Sequence, residues 1–326
     1  MILSEVKKFL GEDWEMLRSK MADSLSSDID ILESTNSDLL SHSGKQLRPV
    51  LALLVARACG GKATEDSVSY AAASELLHNA TLLHDDVADG SVKRRGRPTV
   101  MSLLGPSVSV LIGDFWLVKA MDSIFSASRS SSDVIRIFSK TLGDLAEGEM
   151  LQLQKSGTGD TDEKDYLRII YNKTASLFEA TAVSAAISVE ADESLVEAMR
   201  KYSVALGLAF QIRDDMFDYS AGDDFGKPVG IDLDERKITL PLLGALASVG
   251  EEEAREVRDK VIHIHENPVY KEEVRDFVFA HGGMEYSRKV LDSYVSKAIK
   301  ALSVLPDSRE KDYLAELAEF TGKREK

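Results

Sequence analysis

Of 326 residues only one is cysteine and seven are proline, and none of those prolines lies between Ser107 and Lys227. The single cysteine, Cys59, excludes an intrachain disulfide and fits a reducing, cytoplasmic compartment, where its place in VLALLVARACGG reads as core. Basic residues are also in deficit, 40 against 55 acidic ones, and a formal charge of -15 argues against a nucleic-acid partner. Long uninterrupted apolar runs are missing as well. The opening MILSEVKKFLGEDWE carries charges where a signal peptide needs an apolar stretch, and no window approaches the length of a transmembrane segment, so membrane contact is expected only at the surface.

What fills the proline-free stretch is helix-forming sequence. Apolar residues recur at helical spacing in Val134, Ile137 and Phe138, then Leu142 and Leu145, and again in Ile169, Ile170 and Leu177. Strand-like alternation is hard to find. The turn at 157–160 predicts a helix opened by a capping box of Asp160 with Glu163, HGG at 281–283 a glycine stop, and Pro306 a break before a last helix. No low-complexity linker or short repeat divides the chain, so one all-α domain spanning residues 1–326 is the economical expectation.

One motif repeats at long range: DDVAD at 85–89 returns as DDMFD at 214–218, each after an apolar, helix-compatible run. On a helix the first and third aspartates share a face, and like charges one turn apart cost a few tenths of a kcal/mol unless a cation sits there. Carboxylates are hard ligands, and Mg²⁺ takes one or two of them with water and substrate phosphate. A solvated acidic face is the competing reading of either cluster alone. Cations gather nearby, Lys45 and Arg48 in GKQLRP and Arg94 with Arg95 before Gly96; arginine forks match phosphate oxygens. Metal-bridged diphosphate binding is the chemistry this combination suggests.

GKQLRP, ELLHNATLLHDDVAD followed by RRGRPT, NKTASLF, FQIRDDMFD and GKPVGIDLDERKITLP occur in one order between residues 44 and 241. In these motifs the chain resembles the trans-isoprenyl diphosphate synthases, or polyprenyl synthetases. The resemblance implies an all-α isoprenoid synthase fold, long helices around a deep central cavity, and a homodimer. It implies that Asp85, Asp86, Asp89, Asp214, Asp215 and Asp218 hold about three Mg²⁺ ions on an allylic diphosphate contacted by Arg94, Lys173, Lys227 and Lys237. Lys45, Arg48, His78 and Arg95 would bind isopentenyl diphosphate, and Thr174 with Gln211 would stabilise a carbocation. Arg236 stands where many members of the family carry glycine, and the turn between Asp218 and Gly226 is short.

Ala80 and Thr81, five and four positions before Asp85, border the path of a growing chain. Small residues there imply a medium or long all-trans product, hexaprenyl or longer, over a floor drawn from Leu76, Leu77, Trp116, Met121 or Phe138. Short-chain farnesyl or geranylgeranyl synthesis, a class I terpene cyclase and a non-catalytic subunit are the alternatives. The cyclase would not need GKQLRP, His78 and Arg95, and the subunit could lose aspartates that are complete here.

Overall fold

A computed structural model describes residues 2–94, 96–127, 132–220 and 230–323. Along them run the helices α1 (Ile2–Leu10), α2 (Glu12–Leu25), α3 (Asp30–Ser41), α4 (Leu47–Gly60), α5 (Glu65–Ala88), α6 (Val100–Leu104), α7 (Pro106–Phe125), α8 (Ser132–Thr158), α9 (Glu163–Ile170) and α10 (Ser176–Ser188). The series continues with α11 (Glu193–Ser220), α12 (Ile231–Asp234), α13 (Leu240–Leu246), α14 (Glu251–Ile262), α15 (Val269–Ala280), α16 (Gly283–Ala301) and α17 (Arg309–Lys323). Among the described residues, extended pairing is confined to one antiparallel ladder, Lys93 opposite Pro98 and Arg94 opposite Arg97.

The helices form two compact units. The first comprises residues 1–139, 180–200 and 304–314, and the second residues 140–179, 201–303 and 315–326. The first is organised around α4 and α5. Val50 to Ala56 are all fully buried, so the middle two turns of α4 have no solvent face, and burial of each large side chain contributes about 1.5–3 kcal/mol. The start of α5 is fixed by a capping box in which Thr64 accepts from the Ser67 amide at 3.1 Å while Ser67 accepts from the Thr64 amide at 3.0 Å. A buried polar link locks α7: the Trp116 indole N–H donates to Asn36 at 2.8 Å, and Asn36 donates to the Leu25 carbonyl at 2.8 Å.

The core of the second unit is built by Tyr166, Ile170, Ile212, Met216, Leu242 and their neighbours from α9, α11, α13 and α14–α16. Here Gly283 allows α16 to pass the backbone of α13, because a Cβ there would lie 2.1 Å from the Pro241 carbonyl oxygen. The expected capping box at Asp160 and Glu163 lies two residues later. Asp162 caps α9, accepting from the Asp165 amide at 2.7 Å, because Asp160 is drawn instead to Lys155, 3.2 Å away in the last turn of α8. The stops at 281–283 and Pro306 are where expected, between α15 and α16 and before α17.

Candidate active site

Both aspartate clusters end long helices. DDVAD closes α5, with Asp89 as its C-cap, and DDMFD lies in the last turns of α11; neither helix has a basic residue in its final turn. A helix C-terminus already carries roughly half a negative charge, so carboxylates there are in their least favourable place unless a cation arrives from outside. In the first cluster Asp85 is half-buried, Asp86 buried and Asp89 exposed. The short ladder after α5 turns the chain back, and the Arg94 Nε donates to Asp86 Oδ1 at 2.8 Å. Part of the crowding of carboxylates and guanidinium is thus an internal ion pair on Asp86.

The residues upstream on α5 divide by face. Ala80 is 1% exposed, Thr81 is half-buried and returns its hydroxyl to the His78 carbonyl at 2.8 Å, and His78 is half-buried. His84 turns away from its aspartate neighbours: its Nε2 lies 3.2 Å from Asp114 and 3.3 Å from the Val110 carbonyl, both on α7. Gly113 makes room for it, since a Cβ there would sit 2.4 Å from Nε2. Lys45 is exposed and Arg48 half-buried, flanking Gln46, whose left-handed φ of 54° opens α4.

In the second unit α9 leads into a π-helical turn, Tyr171–Ala175, which carries Lys173 and Thr174. Such turns rotate side chains out of the α-helical register and recur at functional sites. The Thr174 hydroxyl donates to Gln211 Oε1 at 2.8 Å, Gln211 Nε2 donates to Asp215 Oδ1 at 2.7 Å, and the Tyr166 hydroxyl donates to Asp215 Oδ2 at 2.6 Å. Asp215 is buried, and burial pushes its carboxyl up to about 6, with the Tyr166 and Gln211 hydrogen bonds opposing and Asp214 adding to the rise. Asp218 accepts from the Ile231 amide at 3.0 Å and the Asp232 amide at 2.9 Å, so it caps α12; burial raises its pKa too.

That cap brings in Asp232, whose pKa is raised well above the ordinary carboxylate value by burial and by the charges of Asp215 and Asp218. Lys237 opposes this repulsion at Asp215 and Asp232 while pairing with Glu235. Lys173 pairs with Glu149, and Gly148 leaves the space, because a Cβ there would lie 2.9 Å from Lys173 Cγ. Arg236 holds a left-handed φ of 56°, a conformation that glycine adopts without a Cβ clash. Arg95 and Lys227 lie outside the described residues, as does the short turn before Gly226.

A polyprenyl synthetase family model matches residues 29–278. The chain belongs to the polyprenyl synthetase family. It is 36% identical over 327 residues to an octaprenyl diphosphate synthase of Escherichia coli (strain K12), covering 100% of both chains. Two solved structures are each 34% identical: a polyprenyl synthase from Caulobacter crescentus CB15 complexed with calcium and isoprenyl diphosphate, and a decaprenyl diphosphate synthase from Rhodobacter capsulatus. The first superposes with a TM-score of 0.90 over 99% of this chain and 98% of the other, the second with 0.91 over 99% of each. This polyprenyl synthetase is a prenyltransferase with the all-α isoprenoid synthase fold.

Three residues in contact with the candidate site escaped the motif reading. Asp232 sits inside the GKPVGIDLDERKITLP stretch but stands apart from DDMFD in sequence, Tyr166 is hidden in an apolar helix, and Glu149 carries no spacing signal. Only the hydrogen-bond and charge geometry singles them out. Among the described residues no three such side chains form a ready-made metal cage. The donor set nevertheless fits a hard divalent cation, since burial raises Asp215, Asp218 and Asp232 alike, the charges of Asp215 and Asp218 raise Asp232 further, and a cation that finishes its shell with water and phosphate offsets both.

Proposed function

We propose that this chain is an Mg²⁺-dependent all-trans polyprenyl diphosphate synthase that condenses isopentenyl diphosphate with an allylic diphosphate such as farnesyl diphosphate, working as a cytoplasmic homodimer. The observation that carries the reading is the run from Thr174 through Gln211 to Asp215, which ties two neutral dipoles to a carboxylate of an aspartate cluster. Neutral oxygens suit a developing carbocation, because they stabilise positive charge without trapping it covalently.

In this reading Asp85, Asp89, Asp214, Asp215 and Asp218 hold the cations, and Asp86 keeps Arg94 in place for the diphosphate. Bound Mg²⁺ would supply charge for the departing diphosphate. Lys173, Lys227 and Lys237 share that task, and Lys45, Arg48, His78 and Arg95 hold isopentenyl diphosphate. As the allylic carbon–oxygen bond breaks, its electron pair leaves with the diphosphate. The isopentenyl double bond then forms the new carbon–carbon bond, and loss of a proton to the released diphosphate restores an alkene. Thr174 and Gln211 face the cationic carbons during this sequence. No protein nucleophile takes part, and burial pushes the Cys59 thiol up to about 12, in keeping with a core role.

The small, buried Ala80 supports a product of hexaprenyl length or longer. The homodimer is supported by α7, where Leu111, Val118 and Phe125 are all exposed and recur every seven residues while the opposite face packs on α5. An apolar stripe of that period is a seam for another helix. No described helix is long and apolar enough to cross a membrane. The test is incubation with Mg²⁺, labelled isopentenyl diphosphate and farnesyl diphosphate, with chromatography of the dephosphorylated products. Elongation by several units is expected; no elongation with any allylic primer overturns the reading.

A further inference from the structure

A groove of about 1070 Å³ opens between the start of α8, the end of α10 and the start of α11. Its floor is apolar, Ile137, Val183, Ile187 and Val196, and its rim is charged, with Arg136 and Glu193 among the lining residues. None of the motifs uses these positions. Hydrogen bonds fix where it lies. The hydroxyls of Ser67 and Ser188 are 2.6 Å apart, Thr64 donates to the Ser188 carbonyl at 3.3 Å, and a Cβ on Gly60 would meet the Val189 side chain at 2.5 Å. The end of α10 therefore rests on the start of α5, and the groove lies at the end of α5 remote from the aspartates.

The first turns of α8 reach the same end. The Phe138 ring is 6.5 Å from that of Tyr70, and both are fully buried. Ile137, about 100° round the helix from Phe138, lines the groove instead. Ser67 precedes Asp85 by 18 residues, which is about 27 Å of helix. An isoprene unit adds four backbone carbons, about 4–5 Å when extended, from bond lengths near 1.5 Å. A tail anchored at Asp85 and lying along α5 thus comes to the Ser67 end after about six units.

We propose that this groove holds the distal end of products longer than about six isoprene units. The tail passes the Tyr70–Phe138 pair and lies on Ile137, Val183, Ile187 and Val196, its apolar carbons covered while the charged rim stays in water. The ligand is the enzyme's own polyprenyl chain, so the proposal rests on the synthase reading above.

Two experiments on the full-length protein test it. Ile137→Glu and Ile187→Glu place charge on the floor, and the share of products beyond about six units is expected to fall roughly tenfold or more relative to shorter ones. An unchanged product distribution, or an equal fall at every length, overturns the groove. Absence of any elongation by the unmodified protein instead overturns the synthase reading and takes the groove with it. Should the variants fail to fold, octaprenyl diphosphate carrying a benzophenone at its distal end, photolysed on the unmodified protein, supplies the second measurement. Crosslinks mapped by mass spectrometry to 183–200 or 133–137 support the proposal, and crosslinks confined to other segments overturn it.

Discussion

The Tyr166 hydroxyl donates to Asp215 Oδ2 at 2.6 Å, joining the middle of α9 to the end of α11 through two buried side chains. With Gln211 on the other oxygen, both acceptors of the carboxylate are engaged. Its orientation is set before any cation binds.

Tyr166→Phe removes one of these donors and keeps the shape. The apparent affinity for Mg²⁺ is expected to weaken about tenfold, as for other partners that orient metal-binding carboxylates, and stability to fall by about 1–3 kcal/mol. Titration of Mg²⁺ against the thermal midpoint, beside the Mg²⁺ dependence of kcat/KM, separates the two. An unchanged titration would assign Tyr166 to packing alone.

Stability without metal has a defined pH dependence. Asp215 is raised to about 6 in the folded chain, and Asp218 and Asp232 are raised as well. The folded state therefore binds more protons than the unfolded one above about pH 4, and stability falls as pH rises through the folded values. Melting scans in chelator should show a midpoint that drops by about 5 °C from pH 5 to pH 7.5, and Mg²⁺ should restore it at the higher pH. A rising midpoint over that range would contradict the crowding of these carboxylates.

Arg236 holds a φ of 56°. Relief of a left-handed Cβ clash outweighs the extra freedom glycine gives the unfolded chain, so Arg236→Gly is expected to stabilise by about 0.5–1 kcal/mol. Urea denaturation midpoints measure this directly, and a loss of stability would mean that the arginine side chain contributes more than its backbone costs.

Ala80→Tyr places an aromatic ring about 7.5 Å along α5 from Asp85. Chromatography of the isolated variant's products should show the longest chain shortened below about six units, while an unchanged distribution would remove the link between Ala80 and product length.

On α7, Leu111→Lys with Val118→Lys puts two charges into the exposed seven-residue stripe. Light scattering after size exclusion should report a monomer in place of a dimer. A dimer that survives both changes would move the interface elsewhere.

Much of the helical content was legible because it is local. Proline's absence from 108 to 226, the apolar spacing of α8 and the breaks at 281–283 and Pro306 each act within a few residues. The cap of α9 was misplaced by two residues because Asp160 and Asp162 are equally good caps in sequence, and a lysine on the preceding helix decides between them. Likewise nothing local in the sequence shows where His84 turns, because it is a glycine on α7, Gly113, that opens the space for its ring.

By itself the sequence determined the helical class and the two acidic clusters with their attendant cations, since composition, periodicity and motif order are properties of the chain alone. Tertiary structure decided which oxygens are already engaged: Asp86 by Arg94, Asp215 by Tyr166 and Gln211, Asp218 by the amides of α12. It also recruited Asp232 and Glu149, which no spacing rule marks. Hydrogen bonds and desolvation act over a few ångströms of space, and only packing brings residues dozens of positions apart within that reach.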